Sequence, residues 1–158
     1  MPKIFIVYND HTILEQIERI LFKLGLEPYV LKFTSSDDLT TIEDFKQEIS
    51  MQTNSPKFGI VLLTPDDIGY AKSAGKKDAQ PRANQNVIFK MGMLISAISC
   101  RNLAILKKRD VEVPLDYKGI NYIPFNKHVK ETLPKLVELL NTAGFNLDTV
   151  NYGNFCFA

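Results

Sequence analysis

The sequence predicts an α/β domain in which a five-stranded parallel sheet is covered by helices on both faces. Short apolar runs alternate along the chain with segments of helical periodicity, an order typical of right-handed β–α–β units. The apolar runs are unbroken, as expected of strands that are buried on both faces. A chain of 158 residues fits one domain with a single packed core.

The first β–α unit has the clearest pattern. Residues 3–8 form an apolar run that ends at turn-forming residues, which predicts the first strand. Thr12 followed by Glu15 matches a capping box, and apolar residues then recur at helical spacing until Gly25. We therefore expect the first helix to begin at Thr12 and to end just before Gly25.

A second unit and a third strand follow in the same order. Residues 28–33 predict the second strand, and the pair Thr40 and Glu43 predicts a capping box for the second helix. Residues 58–63 predict a third buried strand, which ends where proline removes a ladder donor.

The middle of the chain is predicted as a long polar loop at residues 66–80, a length that is usually functional or mobile. Residues 84–98 return to helical spacing and predict the third helix. Residues 103–106 and 120–123 predict the fourth and fifth strands, and residues 111–117 between them are expected to be a loop or a short helix.

The last helix is predicted at residues 132–140, with Pro134 tolerated in its first turn. Residues 146–158 show no clear period. The expected organisation is therefore a domain over residues 1–145 and a tail or linker over 146–158 that leads towards a sensor domain.

A five-stranded sheet of this kind favours the strand order 2-1-3-4-5, in which connections reverse direction between strands one and three. Ligands bind in the crevice at the carboxyl ends of those two strands. The residue types at the ends of these two strands are also common in ordinary turns and helix caps. Each candidate below can therefore instead have only a structural role in a turn. The candidate crevice residues are Tyr8, Asn9, Asp10, Thr64, Asp66 and Asp67.

Composition excludes several classes of function. The 19 basic and 18 acidic residues nearly balance, which argues against a nucleic-acid partner. No apolar run is long enough to span a bilayer, so we expect a cytoplasmic protein without a membrane partner. The two cysteines and two histidines lack ligand spacing, which argues against a metal site and a disulfide framework. The common glycine-rich nucleotide and hydrolase motifs do not occur.

Several segments, taken together and in order, resemble the TIR-like domain of effectors in cyclic-nucleotide-triggered antiphage systems. These are the CBASS and Pycsar systems, including the TIR–STING fusions. The most diagnostic stretch is Pro-Arg-Ala-Asn-Gln-Asn-Val-Ile-Phe, which is followed by Gly92. The matching segments are residues 3–7, 24–28, 41–45, 61–69, 81–92 and 119–124.

The resemblance implies a flavodoxin-like TIR fold and an enzyme that cleaves NAD and releases nicotinamide. In this reaction NAD is the substrate, and no resident cofactor is expected. It also implies a homo-oligomer or filament built through TIR–TIR contacts, and a cyclic-nucleotide sensor domain such as STING. In the family pattern the motif runs Asn-Val-Ile-Phe-Glu-Leu-Gly. Here Lys90 stands at the position of the catalytic glutamate, so the resemblance implies an antiphage NAD nucleosidase that is inactive as written.

The charge at this position matters because bond cleavage builds positive charge on the ribose while nicotinamide leaves neutral. A carboxylate stabilises that transition state and an ammonium opposes it. Lys90 lies one helical turn beyond Asn86, on the rim of the predicted apolar stripe, where both can face a cleft. For the rest of NAD we expect Arg82 near the phosphates and Phe33 stacked on a ring.

Two other functions are consistent with the residues. One is a non-catalytic TIR scaffold that oligomerises or binds nucleotide, with self-association expected through the loop of residues 33–39. The other is a nucleoside-processing enzyme of the deoxyribosyltransferase type, which also requires a carboxylate in the crevice.

Overall fold

The computed structural model describes residues 1–31, 40–51, 57–114, 119–147 and Phe155. The side chains of residues 40, 41 and 51 are not part of that description. The expected stacking residue Phe33 and the loop of residues 33–39 both lie outside the described residues.

The predicted sheet and its strand order are confirmed. Within the described residues five strands form a parallel sheet in the order β2-β1-β3-β6-β7, and the short strands β4 and β5 form a separate antiparallel pair. Counted along the chain, the five sheet strands follow the expected order 2-1-3-4-5. The seven strands are β1 (Lys3–Val7), β2 (Glu27–Val30), β3 (Gly59–Leu63), β4 (Asp67–Gly69), β5 (Gln80–Arg82), β6 (Leu103–Lys108) and β7 (Tyr122–Phe125).

Helices cover both faces of the sheet, as predicted. Buried side chains of α1 and α4 form one apolar layer, and those of α2 and α3 form a second layer on the opposite face. No helix in the described part of the chain is both long and apolar enough to cross a membrane. The four α-helices of that part are α1 (His11–Lys23), α2 (Thr40–Met51), α3 (Gln85–Ala97) and α4 (Leu133–Thr142).

The predicted start of α1 is wrong. The N-cap is Asp10, whose carboxylate accepts hydrogen bonds from the backbone N–H groups of Thr12 (2.8 Å) and Ile13 (3.2 Å). Aspartate is among the strongest N-cap residues, so it takes the place of the expected capping box from Thr12. The predicted end is confirmed, because Gly25 follows the helix with a φ of 77° that favours glycine.

The predicted loop at residues 66–80 is only partly a loop. It contains β4, a single turn of 3₁₀-helix at Lys76–Asp78 and the first residue of β5. The predicted fifth strand is displaced, since β7 runs from Tyr122 to Phe125 rather than over residues 120–123.

A capping box does occur, immediately before α4. The His128 side chain accepts from the backbone N–H of Lys130, and the Glu131 carboxylate accepts from the backbone N–H of His128 at 2.9 Å. Further along the chain, Phe155 is buried against the layer formed by α1 and α4, and the ammonium of Lys23 lies 5.8 Å from its ring centre.

Candidate functional site

The candidate crevice lies where β1 and β3 end. These strands are parallel neighbours with Val7 opposite Val61, so the chain leaves both of them at the same edge of the sheet. The connection after β1 and the connection after β3 therefore lie side by side. This arrangement brings together six of the predicted site residues: Tyr8, Asn9, Asp10, Thr64, Asp66 and Asp67.

Two of these six side chains are engaged in the structure of the first connection. The Asp10 carboxylate caps α1. The ring of Tyr8 packs edge-on against His11, with 5.1 Å between ring centres. Asn9 is exposed between them. Of this connection, Asn9 is thus the side chain most open to a ligand.

A chain of hydrogen bonds links the connection after β3 to the start of α3. Thr64, only 1% exposed, donates its hydroxyl to one oxygen of Asp66 at 2.6 Å. The other oxygen of Asp66 accepts from the backbone N–H of Asn84 at 2.8 Å. Asn84 in turn caps α3, because its side chain accepts from the backbone N–H of Asn86 at 2.8 Å. The end of β3 and the first turn of α3 are therefore held together by side-chain oxygens.

The third helix carries Asn86 and Lys90 one turn apart, as the spacing predicted. Asn86 is exposed and Lys90 is half-buried, whereas Val87 and Met91, the residues that directly follow them, are buried. Desolvation by burial lowers the pKa of the Lys90 ammonium, because it disfavours the charged form. The helix that carries this position packs against β1 and β3, the two strands that end at the crevice.

Arg82 lies at the end of β5, where its guanidinium pairs with Glu112. The distance from Arg82 Nη2 to Glu112 Oε1 is 3.3 Å, and the two side chains are 42% and 44% exposed. A cavity of about 380 Å³ adjoins this pair and the first turns of α3. A phosphate at Arg82 has to compete with Glu112 for the guanidinium.

A larger apolar groove lies between α2 and α3 on the surface of the domain. Its volume is about 750 Å³, and Phe89, which is 54% exposed, stands beside it. Neither this groove nor the cavity beside Arg82 is lined by Asn9, Asp67 or Lys90. The groove residues are Phe45, Lys46, Ile49, Ser50, Lys57, Ile88, Phe89, Gly92, Met93, Ser96 and Ala97.

Two residues of this region were not predicted from the sequence. Asn84 was predicted only as the first residue of a helix, although asparagine before an apolar periodic segment is a known N-cap signal. Glu112 left no such signal, because its partner Arg82 lies 30 residues away. Where the chain is described, no group of three or more His, Cys, Asp or Glu residues is placed to hold a metal ion.

Similarity to known proteins identifies the family of this chain. The model of the family described as CAP12/Pycsar effector protein, TIR domain, matches residues 3–127. Uncharacterized protein YuaY of Escherichia coli (strain K12) is 33% identical over 127 residues, which are 80% of this chain and 40% of YuaY. Protein tirC of Dictyostelium discoideum is 32% identical over 140 residues, which are 82% of this chain and 67% of tirC. The chain thus spans less than half the length of YuaY.

Proposed function

The chain belongs to the CAP12/Pycsar effector TIR-domain family, and we propose that it is an antiphage effector domain whose crevice binds NAD for cleavage at the nicotinamide–ribose bond. In this proposal Lys90 leaves the present sequence inactive. The observation that carries the proposal is the meeting of three elements, the ends of β1 and β3 and the first turns of α3, which bears Lys90.

The chemistry of the bond explains why such a site needs few residues. Breaking the nicotinamide–ribose bond leaves positive charge on the sugar, and the pyridinium leaves as a neutral base without a general acid. One carboxylate beside the ribose therefore supplies much of the stabilisation. Position 90, half-buried on α3, offers the reduced hydration in which such a charge acts strongly.

The lysine at this position has the opposite effect. Two unit charges about 4 Å apart interact by about 4 kcal/mol at an effective dielectric constant of about 20. Exchange of carboxylate for ammonium thus raises the barrier by several kcal/mol, which slows the reaction by several powers of ten. Burial lowers the pKa of Lys90, and neither protonation state of a lysine offers the attraction of a carboxylate.

Among the accessible side chains that do not cap a helix, we propose four for direct contact with NAD. They are Asn9 after β1, Asp67 in β4, Asn86 on α3 and, once Glu112 is displaced, Arg82. Arginine suits the pyrophosphate because its guanidinium offers paired donors. Phe33 remains the residue that we propose for ring stacking.

Chemical-shift mapping with NAD on the uniformly labelled chain tests this placement. We expect changes at Asn9, at residues 66–67 and at Asn86 and Lys90 of α3, none of which lines the α2–α3 groove. Changes confined to the α2–α3 groove would overturn it. A matched titration of Asn86→Ala, which removes one exposed contact from the same helix, should show a weaker affinity.

Lys90 also supports a second candidate, a non-catalytic TIR scaffold that oligomerises or binds nucleotide. Both candidates include assembly through TIR–TIR contacts, and both include a cyclic-nucleotide sensor such as a STING domain as partner. Sedimentation of a forced dimer with and without Leu39→Asp tests the proposed contact at residues 33–39. Equal assembly of the two proteins would remove that loop from the proposal.

A further inference from the structure

The carboxylate of Asp66 has both of its oxygens occupied by the protein itself. Oδ1 receives the hydroxyl of the buried Thr64 at 2.6 Å, and Oδ2 receives the backbone N–H of Asn84 at 2.8 Å. The backbone N–H of Asp66 also donates to the carbonyl of Thr64 at 2.8 Å, which closes a tight turn directly after β3. Asp66 is therefore joined on one side to the sheet and on the other to the beginning of α3.

We infer that Asp66 is a positioning residue for the proposed reaction, and that it places position 90 against the crevice without contacting NAD. The inference rests on the proposed function and makes it more specific. Thr64 has the same indirect role, because the Thr64 hydroxyl donates its hydrogen bond to Asp66. Of the acidic residues after β3, this leaves Asp67 for direct contact with substrate.

The path of the chain explains how Asp66 affects position 90. Asn84 is the N-cap of α3, so the bond from Asp66 fixes the residue from which the helix starts. Position 90 lies on the second turn of the same helix, and a helix is stiff over that distance. A shift of the first turn therefore moves position 90 relative to β1 and β3. A misplacement of about 1 Å at a reacting group can cost about 100-fold in rate.

The bonds that Asp66 makes suggest a matched pair of variants. Asp66→Ala removes both acceptors and leaves the Thr64 hydroxyl and the Asn84 N–H without their partner. Asp66→Asn keeps the shape, because its amide oxygen can accept from Asn84 while its NH₂ donates to the Thr64 hydroxyl oxygen. Asparagine thus preserves both hydrogen bonds, to Thr64 and to Asn84, and removes the negative charge. A residue that acts on the substrate through its charge would lose its effect in both variants.

The first arm of the test needs no catalytic activity. Amide hydrogen exchange is followed at Asn84 and along the first turn of α3 in the otherwise unchanged chain. We expect Asp66→Ala to speed exchange at Asn84 by about 10-fold, and Asp66→Asn and the control Asp67→Ala to change it by less than about 3-fold. Equal exchange in Asp66→Ala and wild type would overturn the inference. If Asp66→Ala fails to fold, Thr64→Val replaces it in the comparison.

The second arm measures nicotinamide release from NAD by clustered Lys90→Glu protein that carries each Asp66 variant. We expect Asp66→Ala to lower kcat about 10- to 100-fold with KM changed less than about 3-fold, and Asp66→Asn to recover most of that loss. A loss in Asp66→Asn as large as in Asp66→Ala, or an effect mainly on KM, would instead make Asp66 a substrate-binding residue. If Lys90→Glu itself is inactive, the proposed function fails, and the exchange arm still decides whether Asp66 holds α3.

Discussion

Arg82 and Glu112 join two separate parts of the chain through both side chains and backbone. Arg82 Nε lies 3.4 Å from Glu112 Oε2, and the backbone N–H of Glu112 donates to the carbonyl of Pro81 at 2.9 Å. The segment after β6 is thereby attached to β5 beside the first turn of α3. The residue that we propose for the phosphates of NAD is thus already neutralised by a surface carboxylate.

This pairing predicts the effect of Glu112→Gln. Because the ion pair is exposed, its loss should change the free energy of unfolding by no more than about 1 kcal/mol. The freed guanidinium should bind NAD phosphates more readily, so the dissociation constant for NAD should fall. Calorimetric titration checks the affinity, and thermal unfolding checks the stability. Glu43→Gln, which breaks the exposed pair with Lys46, is the control and should leave NAD affinity unchanged. Weaker binding in Glu112→Gln would contradict the role of Arg82.

Two glycines should respond in opposite directions to the same substitution. A Cβ at Gly92 meets nothing within 4 Å, so Gly92→Ala should stabilise α3 by up to about 1 kcal/mol through helix propensity. A Cβ at Gly59 would lie 2.7 Å from Leu94 Cδ2, so Gly59→Ala should destabilise the fold by about 1–3 kcal/mol. Urea unfolding of both variants gives the two values. A destabilised Gly92→Ala protein would show that the space beside α3 is not open.

The capping box before α4 predicts a dependence on pH. Three backbone N–H groups, those of Asn126, Lys127 and His128, hold the pKa of Glu131 below its usual value. The stabilisation from a lowered carboxyl pKa is complete above the unfolded-state pKa and is lost as pH falls through the folded-state pKa. Glu131→Gln should therefore unfold at a lower temperature than wild type near neutral pH. The expected loss in the free energy of unfolding is about 1 kcal/mol, as for other helix caps.

The same difference should shrink in acid, where Glu131 becomes protonated in wild type. Melting temperatures of the two proteins between about pH 3 and about pH 7 give the difference at each pH. Burial is the main cause that lowers the pKa of His128, whereas the charge of Glu131 raises it, so Glu131→Gln should also lower the pKa of His128. A gap between the melting curves that stays constant over this range would exclude the carboxylate as the source of the stabilisation.

The parts of the fold that the sequence predicts well depend on local pattern. Residues 58–63 and 103–106 form unbroken apolar runs, and both correspond to central strands that are buried on two faces. The strand order follows from the alternation of strands and helices, because right-handed crossovers leave few topologies open. The helix at Gln85–Ala97 was found because its buried residues recur at helical spacing.

The parts that were missed depend on choices between local alternatives or on distant partners. Asp10 and Thr12 both suit an N-cap, and the pattern alone does not decide between them, whereas the backbone after β1 favours Asp10. The β4–β5 pair is made of three-residue strands with Pro81 in one of them, which is too short and too polar for a periodicity signal. The contact of Arg82 with Glu112 spans 30 residues and has no signature in either segment. In the candidate site, residue types were therefore predictable and their hydrogen-bond partners were not.

We propose that one side chain, Lys90, separates this chain from an NAD-cleaving domain. Nicotinamide release from NAD by protein tethered at high density on vesicles measures it most directly, because clustering supplies the assembly that the proposed activity requires. Lys90→Gln is the matched control, since it removes the positive charge without adding a negative one. We expect clustered Lys90→Glu to release nicotinamide at least about 100-fold faster than Lys90→Gln or wild type. Equal release by folded Lys90→Glu and Lys90→Gln would show that Lys90 is not what prevents cleavage, and would leave the scaffold as the function of this domain.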